Sequence, residues 1–163
     1  MFSKENHNIE SIETLVKSEM ERINNPIVRN ELEKILINPI HHLRKWDYGS
    51  NGERFICWTI AIDKNSDTAI VYSDYGFGPE TPWGLVSESG LYFGMDTGWF
   101  ISLMDCFLDS KMANELPIWK VEKEIDIFSR ELIIENSTLK EAFEKRDKAL
   151  QINPKFIYSV LPQ

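Results

Sequence analysis

From Asn65 to Ser110 the chain has no lysine, arginine or histidine, against seven aspartates and glutamates. Such a surface repels phosphate backbones and anionic headgroups, so it excludes nucleic acid and membrane as partners and favours a basic one. The imbalance is local. Residues 46–110 carry ten acids and only two bases, Arg54 and Lys64, whereas residues 1–45 hold seven of each sign and residues 111–163 nine of each. The net charge of −8 therefore belongs to the middle of the chain.

Other things are scarce as well. Two cysteines, Cys57 and Cys106, lie in apolar runs and read as buried reduced thiols of a cytosolic protein, with a disulfide as the lesser alternative. No apolar run approaches the roughly 20 residues of a membrane span, and the polar start, Met1 to Glu13, has no apolar core of a signal peptide. A soluble, cytoplasmic protein is expected. No phosphate-binding fingerprint is present: Gly76-Phe-Gly78 lacks the further glycine and the base that phosphate needs, so no cofactor is expected. With 42% hydrophobic and 27% charged residues, the 163 residues suit a single domain with a real core.

What is present has an order. Ile9, Ile12, Leu15, Val16, Met20 and Ile23 repeat near 3.6 residues, which predicts a helix over 8–24. Asn25-Pro26 is a cap followed by a first-turn proline, and a second helix runs to about Ile37 before Pro39, so residues 1–40 read as a helical hairpin. Residues 41–95 read as a β-meander: strands at Leu43–Tyr48, Arg54–Asp63 and Thr68–Ser73, with a hairpin turn at Asn51-Gly52. In the second of these, Phe55, Cys57, Thr59 and Ala61 face one way and Ile56, Trp58, Ile60 and Ile62 the other. Asp74–Val86 is a glycine- and proline-bearing loop; Leu85-Val86 and Leu91–Phe93 suit further strand pieces.

Residues 96–163 read as the helical part. Asp96 or Thr97 caps a helix from about Gly98 to Met112, with Phe100, Leu103, Met104 and Phe107 inward. Ile118–Val121 fits an edge strand or an extended segment, and Ile125–Ile134 fits helix or strand. Ser137 or Thr138 caps a last helix to about Gln151, Thr138 and Glu141 being spaced as a capping box; Phe156–Leu161 is a docking tail. The expected fold is α+β: an N-terminal helical hairpin, a central antiparallel sheet of four to five strands, and C-terminal helices packed on that sheet.

Candidate chemistry is thin. Asp63, Asn65, Asp67 and Asp74 match calcium-loop positions, but Thr68 stands where glycine is needed and strands flank it; a hairpin turn is the better reading. His41-His42 point to opposite faces of a strand and do not chelate one ion together. Neither cysteine has a glycine elbow or helix N-terminus to activate it. Asp96, Asp105 and Asp109 could work with Asp74, Glu80 or Glu88 as a carboxylate or metal site, but Asp96 also suits a cap and the helix pair a solvated face. No catalytic or metal-ligating residue is assigned.

The central aromatics offer more. Tyr75, Phe77 and Trp83 either close a core or anchor an interface; rimmed by Asp74, Glu80 and Glu88, they make a candidate partner-binding set for a basic protein.

The run Ala69-Ile-Val-Tyr-Ser-Asp-Tyr-Gly-Phe-Gly-Pro-Glu-Thr-Pro-Trp-Gly-Leu-Val86, followed by Gly94-Met-Asp-Thr-Gly-Trp-Phe-Ile-Ser-Leu-Met-Asp-Cys-Phe107, resembles small bacterial immunity proteins of polymorphic or contact-dependent toxin systems. The resemblance spans about residues 46–110. It implies tight, non-catalytic binding to a basic cognate toxin domain. The rival readings are a hydrolase that uses the same carboxylates or a metal, and a small regulatory or scaffold module.

Overall fold

A computed structural model describes residues 7–46, 48–74, 77–78 and 80–163. Among them are five helices and two antiparallel sheets, an α+β architecture, and the chain divides into two compact units, residues 1–110 and 111–163. No helix among the described residues is long and apolar enough to cross a membrane.

In the first unit, helix α1 (Ile9–Arg22) starts where the Asn8 side chain accepts from the Ser11 N–H and the Ser11 hydroxyl accepts from the Asn8 N–H. Helix α2 (Pro26–Ile35) starts on Asn25, whose side chain accepts from Ile27 and Val28. The expected helical hairpin is overturned: α1 packs mainly on α3 and β1, and α2 on β2, rather than on each other. The second helix also ends sooner than expected. Pro39 forces the residues before it to extend, so strand β1 (Leu36–Arg44) leaves α2 directly and replaces the strand expected at Leu43–Tyr48. β1 is an edge strand, and its pairing slips between Leu36 and Ile40, where a missing N–H is tolerated.

The five-stranded sheet runs β1–β2–β3–β4–β5, with β2 at Phe55–Asp63, β3 at Thr68–Tyr72, β4 at Trp83–Ser87 and β5 at Trp99–Phe100. β4 takes in the strand piece expected at Leu85-Val86 and reaches back to Trp83, inside the stretch expected as loop. In β2, a bulge separates the pairs Thr59–Val71 and Ala61–Ile70. It breaks the two-residue alternation, so Ile62 crosses to the Phe55 and Cys57 side and packs with Ala69, Val71, Val86, Phe93 and Trp99. Helix α2 lies on β2, and α3 (Leu103–Leu108) on β3 and β4.

The single helix expected over 98–112 is divided. Trp99 pairs with Gly84 on β4 and its indole N–H donates to the Phe93 carbonyl at 2.9 Å, so the chain is extended there. A Cβ on Gly84 would stand 2.8 Å from the Trp99 ring, so only glycine admits it. Ser102, not Asp96 or Thr97, caps α3 by accepting from Asp105. The buried Glu19 carboxylate accepts from the Leu103 N–H at 3.1 Å and pairs with Arg22, closing the same helix end from α1.

In the second unit, after the short helix α4 (Lys111–Asn114), β6 (Trp119–Asp126) is flanked by β7 (Ser129–Ser137) and β8 (Tyr158–Pro162). Helix α5 (Leu139–Ile152), begun by the Thr138–Glu141 capping box, packs on all three strands. C-terminal helices on the central sheet are therefore not what forms: residues expected as an edge, an ambiguous segment and a tail build a second sheet, and α5 covers that one. Cross-strand pairs Lys123–Glu131 (3.1 Å) and Arg130–Glu122 (3.3 Å) tie β6 to β7.

Candidate partner-binding surface

The first unit's acid-only stretch is organised around one hidden cation. Arg44, at the end of β1, is 2% exposed. Its Nη1 donates to the carbonyls of Ser87 (3.1 Å), Gly90 (2.8 Å) and Tyr92 (3.3 Å). A buried charge persists only with such partners, so Arg44 draws the segment after β4 against the sheet. Lys45 adds a short parallel bridge: its N–H donates to the Leu91 carbonyl, and the Phe93 N–H donates to its carbonyl. Leu91, Tyr92 and Met95 remain exposed on this segment, with the Lys45 ammonium 5.8 Å from the Tyr92 ring.

A run of aromatic contacts leads from the core to the surface. Phe55, Phe93 and Trp99 touch in turn at 5.6 and 5.2 Å between ring centres. Phe77 lies 6.0 Å from Trp99 and 6.0 Å from Trp46, and Trp46 stands 6.0 Å from Tyr48, which is 78% exposed. Trp46 and Tyr48 escape sequence reasoning, which places them inside a strand. The turn at Gly49–Gly52 beside them is the signal that they sit where strand order ends.

The candidate residues are distributed unevenly. Trp83 is 2% exposed and belongs to the core, its ring 5.2 Å from Tyr72. Phe77 is half-buried and forms the link in the aromatic run. Asp74 is engaged: the Tyr72 hydroxyl donates to it at 2.8 Å, and His7 Nε2 lies 3.1 Å away. Glu80 is exposed before β4 and Glu88 after it, so the strand, about 16 Å long, separates them. Tyr75, with Gly76 and Pro79, lies outside the described residues, as does the side chain of Asp96.

The arrangement nearest to catalysis is Ser11–His7–Asp74. His7 Nδ1 is 3.3 Å from the Ser11 hydroxyl, and Nε2 faces the Asp74 carboxylate. The Ser11 hydroxyl, however, donates to the Asn8 carbonyl at 2.8 Å as part of the α1 cap, so its proton is already placed. A nucleophile needs that proton aimed at its base. His7 instead clamps the start of α1 to the end of β3.

Both cysteines are buried thiols; burial pushes Cys57 up to about 12, with Arg44 opposing, and raises Cys106, with Asp109 and Asp105 adding to the rise. They are poor nucleophiles. The Asp63–Asp67 segment is a hairpin turn: Asp63 accepts from Asn65 and Ser66, while Asp67, at φ +50°, accepts from Ser87 and Ser89. No group of three or more histidine, cysteine, aspartate or glutamate side chains suited to a metal occurs among the described residues. Compared with protein-family models, with curated proteins and with solved structures, the chain matches none.

Proposed function

We propose that the chain is a cytoplasmic, non-catalytic binding protein whose first unit occludes a basic surface of a partner protein, as an immunity protein does with its cognate toxin domain. One observation carries this reading. The stretch from Asn65 to Ser110 has seven acids and no base, and its underlying cation, Arg44, is buried against backbone carbonyls. The charges that this stretch itself presents are all acidic, and Lys45 is the base beside it, at Tyr92. Glu80 and Glu88 steer the partner from either end of β4, and Trp46, Tyr48, Leu91 and Tyr92 supply apolar contact. The resemblance of residues 46–110 to immunity proteins supplies the class of partner.

Affinity capture of the tagged chain from its native cells, read by mass spectrometry, tests the proposal. The expected result is one stoichiometric basic protein, toxic when expressed alone and rescued by this chain. Recovery of housekeeping proteins only, or of no protein, overturns it. With that partner purified, the double change Glu80→Lys and Glu88→Lys slows association and flattens its salt dependence; unchanged association rules out this surface.

A further inference from the structure

The β6–β7 hairpin turns through two residues, Ile127 and Phe128. They are 82% and 91% exposed. Tight hairpin turns use asparagine, aspartate or glycine because those residues accept positive φ. Neither Ile127 nor Phe128 has positive φ. The pairing slips between Glu124 and Asp126 instead, and the Asp126 carboxylate holds the turn by accepting from the Phe128 N–H at 2.8 Å. Turn chemistry thus needs no apolar residue here, and two large ones are displayed.

The display is wider than the turn. Ile125 on β6 is exposed, as is Ile157, whose carbonyl accepts from the Glu124 N–H at 2.8 Å. All four apolar side chains lie at the same end of the three-stranded sheet. The arms behind them are paired: a backbone ladder and two ion pairs join β6 to β7, and the Lys123 ammonium sits 4.1 Å from the Phe156 ring. A tip held in shape before contact loses little freedom on binding.

The charges around the tip select its partner. Residues 122–131 carry four acids and two bases; Lys123 pairs with Glu131, while Glu122 is shared between Lys120 at 2.7 Å and Arg130 at 3.3 Å. Asp126 and Glu124 are the acids next in sequence to Ile125 and Ile127, with Arg130 in register opposite Glu124 and Lys155 two residues before Ile157. Acidic flanks disfavour an anionic lipid surface. We infer that the Ile127–Phe128 tip is a docking wedge that enters an apolar pocket with a basic rim on a partner protein. The wedge rests on residues of the second unit alone and does not depend on the acidic surface of the first.

The full chain with p-benzoylphenylalanine in place of Phe128, photolysed in its native cells, tests this directly. A second chain with the same probe at Phe143, also exposed and near the start of α5, is the control. The expected result is cross-linking from position 128, absent from position 143, to one protein. With that protein purified, Phe128→Ala weakens binding about 30-fold without shifting the melting temperature of the chain, and Glu124→Gln reduces the salt dependence. Cross-links to a second copy of this chain, to lipid, or equally from both positions overturn the inference, as does no cross-link or binding indifferent to Phe128→Ala. A wedge that passes while Glu80→Lys and Glu88→Lys change nothing would retire the acidic-surface reading alone.

Discussion

The two units bury their sheets by different means. In the first, β2 is buried without a break from Cys57 to Ala61, because a helix lies on one side and the run Phe55–Phe93–Trp99 on the other. In the second, β7 buries only Ser137 of its nine residues, and exposed ion pairs supplement its backbone ladder to β6. The first unit is therefore held by packing, which salt and protons hardly touch. The second has its own core at Ile118, Trp119, Val121 and Ala142, and the exposed ion pairs on β7 add at most about 1 kcal/mol each, a contribution that both weaken.

The largest effect that sharpens this contrast is loss of an aromatic from the first unit. Phe93→Ala empties a site that Phe55 and Trp99 line, and it should cost about 3–5 kcal/mol in urea unfolding, nearly independent of salt. Next is Gly84→Ala. The Trp99 indole is rigid and tied to the Phe93 carbonyl, so the added methyl has nowhere to go; overpacking of this kind costs about 1–3 kcal/mol.

The smallest effect is seen in acid. Lys120 first, and then Arg130, hold the Glu122 carboxyl below its ordinary range; Ser129 and the Phe128 N–H do the same for Asp126, and Thr138 for Glu141. In the first unit only Asp67, through Ser89 and Ser87, is resolved as lowered among the described residues. A depressed carboxyl contributes stability that is present above its unfolded value and lost as pH falls through its folded value. Amide exchange below the ordinary carboxylate range should therefore rise first in residues 119–137, and Glu122→Gln should flatten that response. Equal acid sensitivity of both units would erase the distinction.

Local chemistry was the legible part of the sequence. Asn25-Pro26 and the Thr138–Glu141 box start helices because caps act within four residues. What escaped depends on distant partners. Trp83 and Gly84 join the strand expected at Leu85-Val86 because β3 offers them a ladder, and Trp99 is extended because Gly84 makes room for its ring. Residues 119–137 resisted because their bulges disturb the two-residue alternation and because Ile127-Phe128 carries no turn signal. The same logic governs the candidate surface. Its acidity is plain from composition, whereas the burial of Trp83 and the exposure of Trp46 and Tyr48 are settled only by packing.

Arg44 has one more consequence. It grips carbonyl oxygens of Ser87, Gly90 and Tyr92, and every amino acid has a carbonyl oxygen. The shape of this segment is thus uncoupled from the identity of most side chains on it. Leu91, Tyr92 and Glu88 can be exchanged while the backbone keeps its course. In a contest between two proteins that must keep pace with each other, such a segment can be rewritten without refolding the domain beneath it.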